Sequence, residues 1–336
     1  MSLDLRKLLG DFVACSPAML GVLERVAWYA RARTPLILVG ATGTGKTTLA
    51  ELIHRASGRA GPFTPRTASE FDPELERSQV FGHEAGAFTG AHRRHLGVFE
   101  EACDGTLLLD DFHHLRSSTQ TLLLRVLERG AFRPLGGSRD LPARCRVIVG
   151  LTTSPDALVQ EGRLLLELRF RLGFSAIELP RLEQRRDDIP ALAQCFVERC
   201  PEQTGEPGPS RFTPEVLSLF QAAAWPGNVR QLEMVVRDAY LRGRHSEVIG
   251  LGHLPEVVHL PVRFERRGDP AANARAVRLA LEVTRGGVDR AARLLHTSRT
   301  TVYHYMAAER GRMSERHVSG CPPQNRGFED SAGVMA

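Results

Sequence analysis

Lysine is nearly absent from this chain. Of 44 basic residues only Lys7 and Lys46 are lysine, so a position that keeps a compact ammonium stands out. Long apolar runs are missing too. No stretch of about 18 residues could span a membrane, and the N-terminus carries no apolar signal-peptide core, so a soluble cytoplasmic protein without a membrane partner is expected. The six cysteines (Cys15, Cys103, Cys145, Cys195, Cys200, Cys321) form no C-x-x-C pair and no Cys/His spacing typical of zinc. That favours free thiols in a reducing compartment. Acidic charge is scarce near the C-terminal end: residues 263 to 316 hold twelve arginines against six acidic residues, a local +6 in a chain of net +5. Such an end suits nucleic acid, although charge alone also fits a solvated cationic face. A length of 336 residues leaves room for two or three domains.

What is present is organised around Gly40-Ala41-Thr42-Gly43-Thr44-Gly45-Lys46-Thr47, which follows the apolar run Leu36 to Val39 and precedes Thr48 to Ile53. Strand, glycine-rich turn and helix start make a phosphate-binding P-loop. Backbone N–H groups turn inward around a phosphate chain, Lys46 reaches the outer phosphates, and Thr47 can ligate Mg²⁺. The strand Thr106 to Leu109 runs into Asp110 and Asp111. In a P-loop ATPase, Asp110 would hold Mg²⁺ and Asp111 would polarise the attacking water.

Ser16-Pro17 opens an amphipathic helix, Asp72 to Val80 reads as helical, Gln120 to Arg129 is a helix and Cys145 to Leu151 a buried strand with Thr152 or Thr153 at its polar end. Glycines at 82, 86 and 90 predict a loop, or a helix broken by one, with Phe88 at its centre. An aromatic so placed is by default a core anchor. Alternating strands and helices predict a doubly wound parallel sheet. From Asp187 helices take over at Ile189 to Cys200, Thr213 to Ala223 (capped by Thr213) and Asn228 to Leu241. Trp225 to Arg230 is a turn running into the last of these, and Arg230 could point back at a nucleotide or form a surface salt bridge. Residues 258–270 read as a linker. Helices follow at Ala271 to Thr284, Val288 to Leu295 and Ser298 to Ala308, the last two matching a helix-turn-helix. Arg299, Thr300, Thr301, Tyr303 and His304 are expected on its exposed side, with Ala292, Leu295, Val302 and Met306 inward. Residues 311–336 read as disordered.

Together these residues resemble the bacterial enhancer-binding proteins, AAA+ activators of RNA polymerase carrying sigma-54. The resemblance spans about residues 14 to 308. Its most specific element is Gly86-Ala87-Phe88-Thr89-Gly90-Ala91, the GAFTGA loop; Phe81 to Glu84, Trp225 to Arg230 and the Fis-type helix-turn-helix also match. The resemblance implies an AAA+ α/β ATPase subdomain (1–186), a helical lid (187–257), the linker and a DNA-binding domain (271–310). It also implies ATP and Mg²⁺ as cofactors, enhancer DNA and the sigma-54 RNA polymerase holoenzyme as partners, and assembly from dimers to a hexameric ring. On it Phe88 becomes the sigma-54 contact, with Thr89 beside it, and Arg230 the sensor II arginine.

The chain departs from the family pattern in places. Asp111 stands where the family has glutamate. Of two expected arginine fingers, Leu165 occupies the first position and Arg171 the second, with Arg163 and Arg169 as substitutes. Threonine replaces the asparagine at the end of the fourth strand, and His296 replaces the turn glycine, tolerable because histidine is enriched at positive φ. No N-terminal sensory domain is seen, so control by a separate protein or by expression level is expected. Two alternatives stand beside the activator: a DNA-binding regulator with little or no hydrolysis, needing a related subunit in a mixed ring, and, with no substrate constellation to support it, a P-loop enzyme for a small substrate.

Overall fold

The computed structural model describes residues 12–173, 176–255 and 269–307. The chain divides into two compact units, one up to Val258 and one from His259. Most of the expected linker (258–268), the end of the expected helix-turn-helix (308–310), the expected disordered tail and Cys321 lie outside the described residues.

The first unit is built on a five-stranded parallel sheet. Its strands are β1 (Leu36–Val39), β2 (Phe63–Thr67), β3 (Thr106–Asp110), β6 (Arg146–Leu151) and β7 (Ala176–Glu178), in the order β2-β3-β6-β1-β7. Between β3 and β6 lies a short antiparallel hairpin, β4 (Ala131–Phe132) with β5 (Leu141–Pro142). The central strands are apolar on both faces because both faces are covered. Ile37, Val39, Leu107, Leu109, Val147 and Val149 enter one core. Leu36, Leu38, Leu108 and Ile148 enter the other, against helices Pro17–Tyr29 and Lys46–Ser57. Each such side chain contributes about 2 kcal/mol on burial, which is why a run of four apolar residues suffices for β1.

β6 begins with a charged residue. Arg146 is 1% exposed, and its guanidinium donates to the carbonyls of Tyr29 and Ala30 at 2.7 Å and of Thr34 at 3.3 Å. It thereby satisfies the orphan carbonyls that end the first helix, and burial brings its pKa down to about 10.

The helix expected from Asp72 starts later, at Glu76, and runs to Phe81. The 72–75 stretch forms a turn in which Leu75 N–H donates to the Asp72 carbonyl, while Asp72 Oδ1 accepts from Glu74 N–H. A helix at Val98–Glu101, one at Ser117–Arg129 and short helices at Pro155–Gln160 and Leu166–Leu172 complete the layers.

The strands then give way to helices Ile189–Thr204, Pro214–Ala222 and Asn228–Arg242, tied by a two-residue parallel pair, β8 (Arg211–Phe212) with β9 (Val248–Ile249). Thr213 occupies the cap position, but its side chain makes no capping hydrogen bond. Trp225 is buried, donating from Nε1 to the Phe220 carbonyl at 2.8 Å with its ring edge-on to Phe220.

In the second unit, helix Pro270–Val283 is capped by Asp269, which accepts from the N–H groups of Ala271 and Ala272. Helix Val288–Leu294 and a helix over 299–307 follow, the latter opened by Ser298 Oγ accepting from Thr301 N–H at 3.1 Å. Ala292, Leu295 and Val302 are buried with Met306 packed against them, and His296 takes φ 51° at the turn. Among the described residues no helix is long and apolar enough to cross a membrane, and Cys15, Cys103, Cys145, Cys195 and Cys200 are free thiols.

Candidate functional site

The loop 40–47 joins β1 to helix Lys46–Ser57, and its carbonyls are taken by hydrogen-bond donors. The Gly40 carbonyl accepts from Lys46 Nζ at 3.1 Å, and that of Ala41 accepts from Thr44 Oγ1 at 2.8 Å. The Thr42 carbonyl accepts from Asn228 Nδ2 at 3.0 Å, and that of Thr44 from Arg185 Nη2 at 2.5 Å. The Gly43 carbonyl accepts from the N–H groups of Val229 and Arg230 at 2.9 and 3.3 Å. With every carbonyl from 40 to 44 so engaged, the N–H groups of Gly43, Gly45, Lys46 and Thr47 make no backbone hydrogen bond among the described residues. Those free donors, at a helix N-terminus, are what an anion requires. Gly43 (φ 77°) is constrained twice, since a methyl there would sit 2.3 Å from the Gly227 carbonyl oxygen.

Two of these anchors escaped the sequence reading. Asn228, at φ 52°, also accepts from Leu182 N–H at 2.9 Å through Oδ1, so one amide clamps the lid to the loop. Buried Arg185 reaches the loop from 141 residues away; burial lowers its pKa, and the Asp188 charge opposes that shift. Gly preceding the helical Asn228 is a turn signal, but nothing local says whose carbonyl the amide meets.

Lys46 is buried, and its ammonium lies 3.5 Å from Asp110 Oδ1, which also accepts from Asp111 N–H at 2.9 Å. The Asp110 carboxylate lies over Gly150 of β6, where a methyl would come within 2.1 Å of Oδ1. A glycine inside a strand signals such a close approach, so this contact was detectable from sequence. Asp111 follows β3 in the left-handed region, φ 50° and ψ 36°, which costs a non-glycine residue about 1–2 kcal/mol. Its Oδ1 is buried without a partner among the described residues. Beside it is His113, also missed from sequence. The residue is 6% exposed, its Nε2 is 3.4 Å from Thr152 Oγ1, and its Nδ1 is buried without a partner among the described residues. Burial, then the charges of His114 and Arg163, lower its pKa to about 4.

The arginines near 165 are engaged within the chain. Arg171 donates through Nε and Nη2 to the Leu127 carbonyl at 3.0 and 2.6 Å, and Nη2 also reaches that of Glu128. It thus caps the C-terminal end of helix Ser117–Arg129. Arg169 pairs with Asp156 and donates to the Gly173 carbonyl; Arg163 pairs with Glu161. Leu165 packs against the core. Arg230 is exposed and forms no ion pair with any described residue.

Residues 86–91 form a loop with no helix in it. Gly86 and Gly90 take φ 81° and 101°; Gly86 N–H donates to the Ala91 carbonyl and Ala91 N–H to that of Phe88. Phe88 is 37% exposed, so it is no core anchor, and it rests edge-on against the His83 ring at 4.9 Å. Ala87 is half-buried beneath the β4–β5 connection, while Thr89 is exposed. In the C-terminal unit Arg299, Thr300, Tyr303 and His304 are exposed. Thr301, expected to be exposed, is half-buried: its hydroxyl meets Ser298 Oγ at 2.8 Å because both belong to the helix cap. Arg299 pairs with Asp289.

A parallel sheet carrying a glycine-rich phosphate loop, with a helical lid clamped to it, defines an AAA+ P-loop nucleoside-triphosphatase fold. The Sigma-54 interaction domain family matches residues 12–178, and the AAA+ ATPase lid domain family matches 183–267. The chain is 33% identical over 301 residues to the Transcriptional regulatory protein GlrR of Escherichia coli strain K12, covering 88% of this chain and 67% of that one. It is 37% identical over 228 residues to the Psp operon transcriptional activator of the same strain, covering 67% and 70%. The structure of NtrX from Brucella abortus in complex with ADP superposes with a TM-score of 0.70 at 27% identity, covering 91% of this chain and 71% of that one. This chain therefore belongs to the sigma-54-dependent transcriptional activator family.

Proposed function

We propose that the chain is an ATP-driven activator of sigma-54-dependent transcription. The observation that carries this reading is the pairing of a P-loop whose carbonyls are all engaged with an exposed, self-closed loop at 86–91. The cradle 40–47 would bind the triphosphate, Lys46 the outer phosphates, and Arg230 would approach from the lid. Thr47 and Asp110 would hold Mg²⁺, an ion that takes one or two protein oxygens and leaves the rest to phosphate and water. They fit that demand: both offer hard oxygen donors, and no group of three His, Cys, Asp or Glu side chains among the described residues competes as a cage. The metal would neutralise charge developing on the phosphates. Asp111 would orient the attacking water, and Phe88 with Thr89 would press on sigma-54 in a ring of subunits. Arg299, Thr300, Thr301, Tyr303 and His304 would meet enhancer DNA from a helix-turn-helix formed by 288–307.

A second reading is a regulator that binds nucleotide but hydrolyses little alone. The engagement of Arg171 with Leu127 and Glu128 favours it, because a finger must leave those carbonyls to reach a neighbour's nucleotide. Steady-state ATP hydrolysis over a range of protein concentrations, with Lys46→Ala as blank, decides between them. A rate per subunit that rises with concentration supports the activator; a rate equal to the blank supports the second reading. Thr89→Ala should keep hydrolysis and lose activation, and normal activation by that variant would refute the loop's role.

A further inference from the structure

Two of the five buried side-chain atoms that lack a partner among the described residues belong to residues two apart in sequence, Asp111 Oδ1 and His113 Nδ1, and the Asp111 charge acts on the His113 ring. A buried acceptor without a partner costs about 1–3 kcal/mol, and such atoms call for an explanation outside the protein's own hydrogen bonds. Here the explanation lies in the reaction. Asp111 is a short carboxylate held in a strained backbone conformation just after β3. His113 lies two residues on, within the 3₁₀ turn Phe112–His114, and Thr152, just after β6, sets the ring. If Nε2 donates to Thr152 Oγ1, Nδ1 carries the lone pair and is the acceptor.

We propose that His113 and Asp111 together hold the attacking water, His113 Nδ1 accepting one of its hydrogens and Asp111 Oδ1 the other. This rests on the ATPase reading above and adds to it a residue that the P-loop logic does not require. In the step, the oxygen of the water bonds to the γ-phosphorus. The bond from that phosphorus to the oxygen shared with the β-phosphate breaks, and its electron pair leaves with ADP. The proton shed by the water passes to Asp111 and on to the inorganic phosphate formed. The second acceptor makes up for the methylene that aspartate lacks relative to glutamate. Burial disfavours a proton on His113 first, and the charges of His114, Arg163 and Lys46 add to it against the opposing charge of Asp111. The ring is therefore a neutral acceptor at pH 7.

The test compares His113→Ala, His113→Asn and His113→Gln in the full chain. An Asn amide overlays the Nδ1 side of the ring, a Gln amide the Nε2 side. Expected is a kcat about 10-fold or more lower for Ala and Gln, with KM within about twofold, and partial rescue by Asn. N-methylanthraniloyl-ADP with aluminium fluoride should bind more tightly than the same nucleotide alone to the wild type and the Asn variant. That excess should vanish in Ala and Gln. A wild-type kcat in His113→Ala, or Gln rescuing as well as Asn, would overturn the proposal while leaving the ATPase reading intact. Equal loss of plain ADP affinity in all three variants would make the residue structural and overturn it too. Should the Ala variant fail to fold, the order of Asn and Gln decides. A wild type no faster than Lys46→Ala removes the ATPase reading, and this inference with it.

Discussion

The two glycine-punctuated loops of the first unit are built in opposite ways. Loop 40–47 is held largely from outside: Asn228, Val229, Arg230 and Arg185, all distant in sequence, take the carbonyls of Thr42, Gly43 and Thr44. Loop 86–91 is closed mainly on itself, through Gly86 to Ala91 and Ala91 to Phe88, with Phe88 leaning on His83. The first arrangement suits a rigid cradle whose donors must not reorganise. The second suits a surface loop that can move as a body, because few buried contacts oppose its displacement. Rigidity here comes from where the carbonyls go, and glycine content alone does not distinguish the two.

The sharpest way to break the contrast is Gly43→Ala. A methyl there meets the Gly227 carbonyl at 2.3 Å and the residue sits at φ 77°, so the clamp and the cradle cannot both survive. ADP affinity should fall by about 100-fold or more. Gly45→Ala, with φ 103° and nothing within 4 Å of the added methyl, should cost only backbone strain of about 1–2 kcal/mol. Equal losses from the two, by ADP titration, would deny that the lid clamp sets the cradle.

Asn228→Ala removes both halves of that clamp, the bonds to Thr42 and Leu182. One buried N–H and one partly buried carbonyl lose their partner, so urea denaturation should show a loss of about 1–3 kcal/mol. A loss below about 0.5 kcal/mol would mean the lid is not held there.

His113 supplies a pH test of the rigid region alone. Its folded pKa, about 4, lies below the usual 6.5, so the unfolded chain binds a proton that the folded chain refuses. Stability from this group is full above pH 6.5 and declines as pH falls towards 4, by about 2 kcal/mol. Denaturant midpoints measured across that window should fall less steeply in His113→Gln than in wild type; parallel curves would contradict the buried neutral ring.

The smallest effect is expected at the other loop. Gly86→Ala, at φ 81° with open space around it, should lower stability by about 1–2 kcal/mol. It should leave hydrolysis untouched and weaken activation in a sigma-54 transcription assay. A fall in hydrolysis matching the fall in activation would erase the distinction between the loops.

Much of the fold was legible locally. β1 and β3 are unbroken apolar runs, which only a sheet covered on both faces makes sense of, and His296 tolerates the positive φ that a turn there demands. Helix Glu76–Phe81 starts later than its sequence suggests, because Asp72 N–H donates to Gln79 Oε1 and Asp72 Oδ1 accepts from Glu74 N–H in a turn that mimics a helix start. Thr301 was read as exposed because helical periodicity places it outward, whereas capping by Ser298 draws its hydroxyl back.

By itself the sequence determined the strand, turn and helix of residues 36–57, the acidic end of β3 and a glycine-bounded loop at 86–91. These are set by φ freedom, by apolar runs and by spacing over a few residues. Only the tertiary structure decided which donors take the P-loop carbonyls, that Arg171 is held on Leu127 and Glu128, and that the His113 ring is buried with Nδ1 unpartnered among the described residues. A side chain's hydrogen-bond partner can lie more than a hundred residues away, and which partner it meets is settled by how the layers pack.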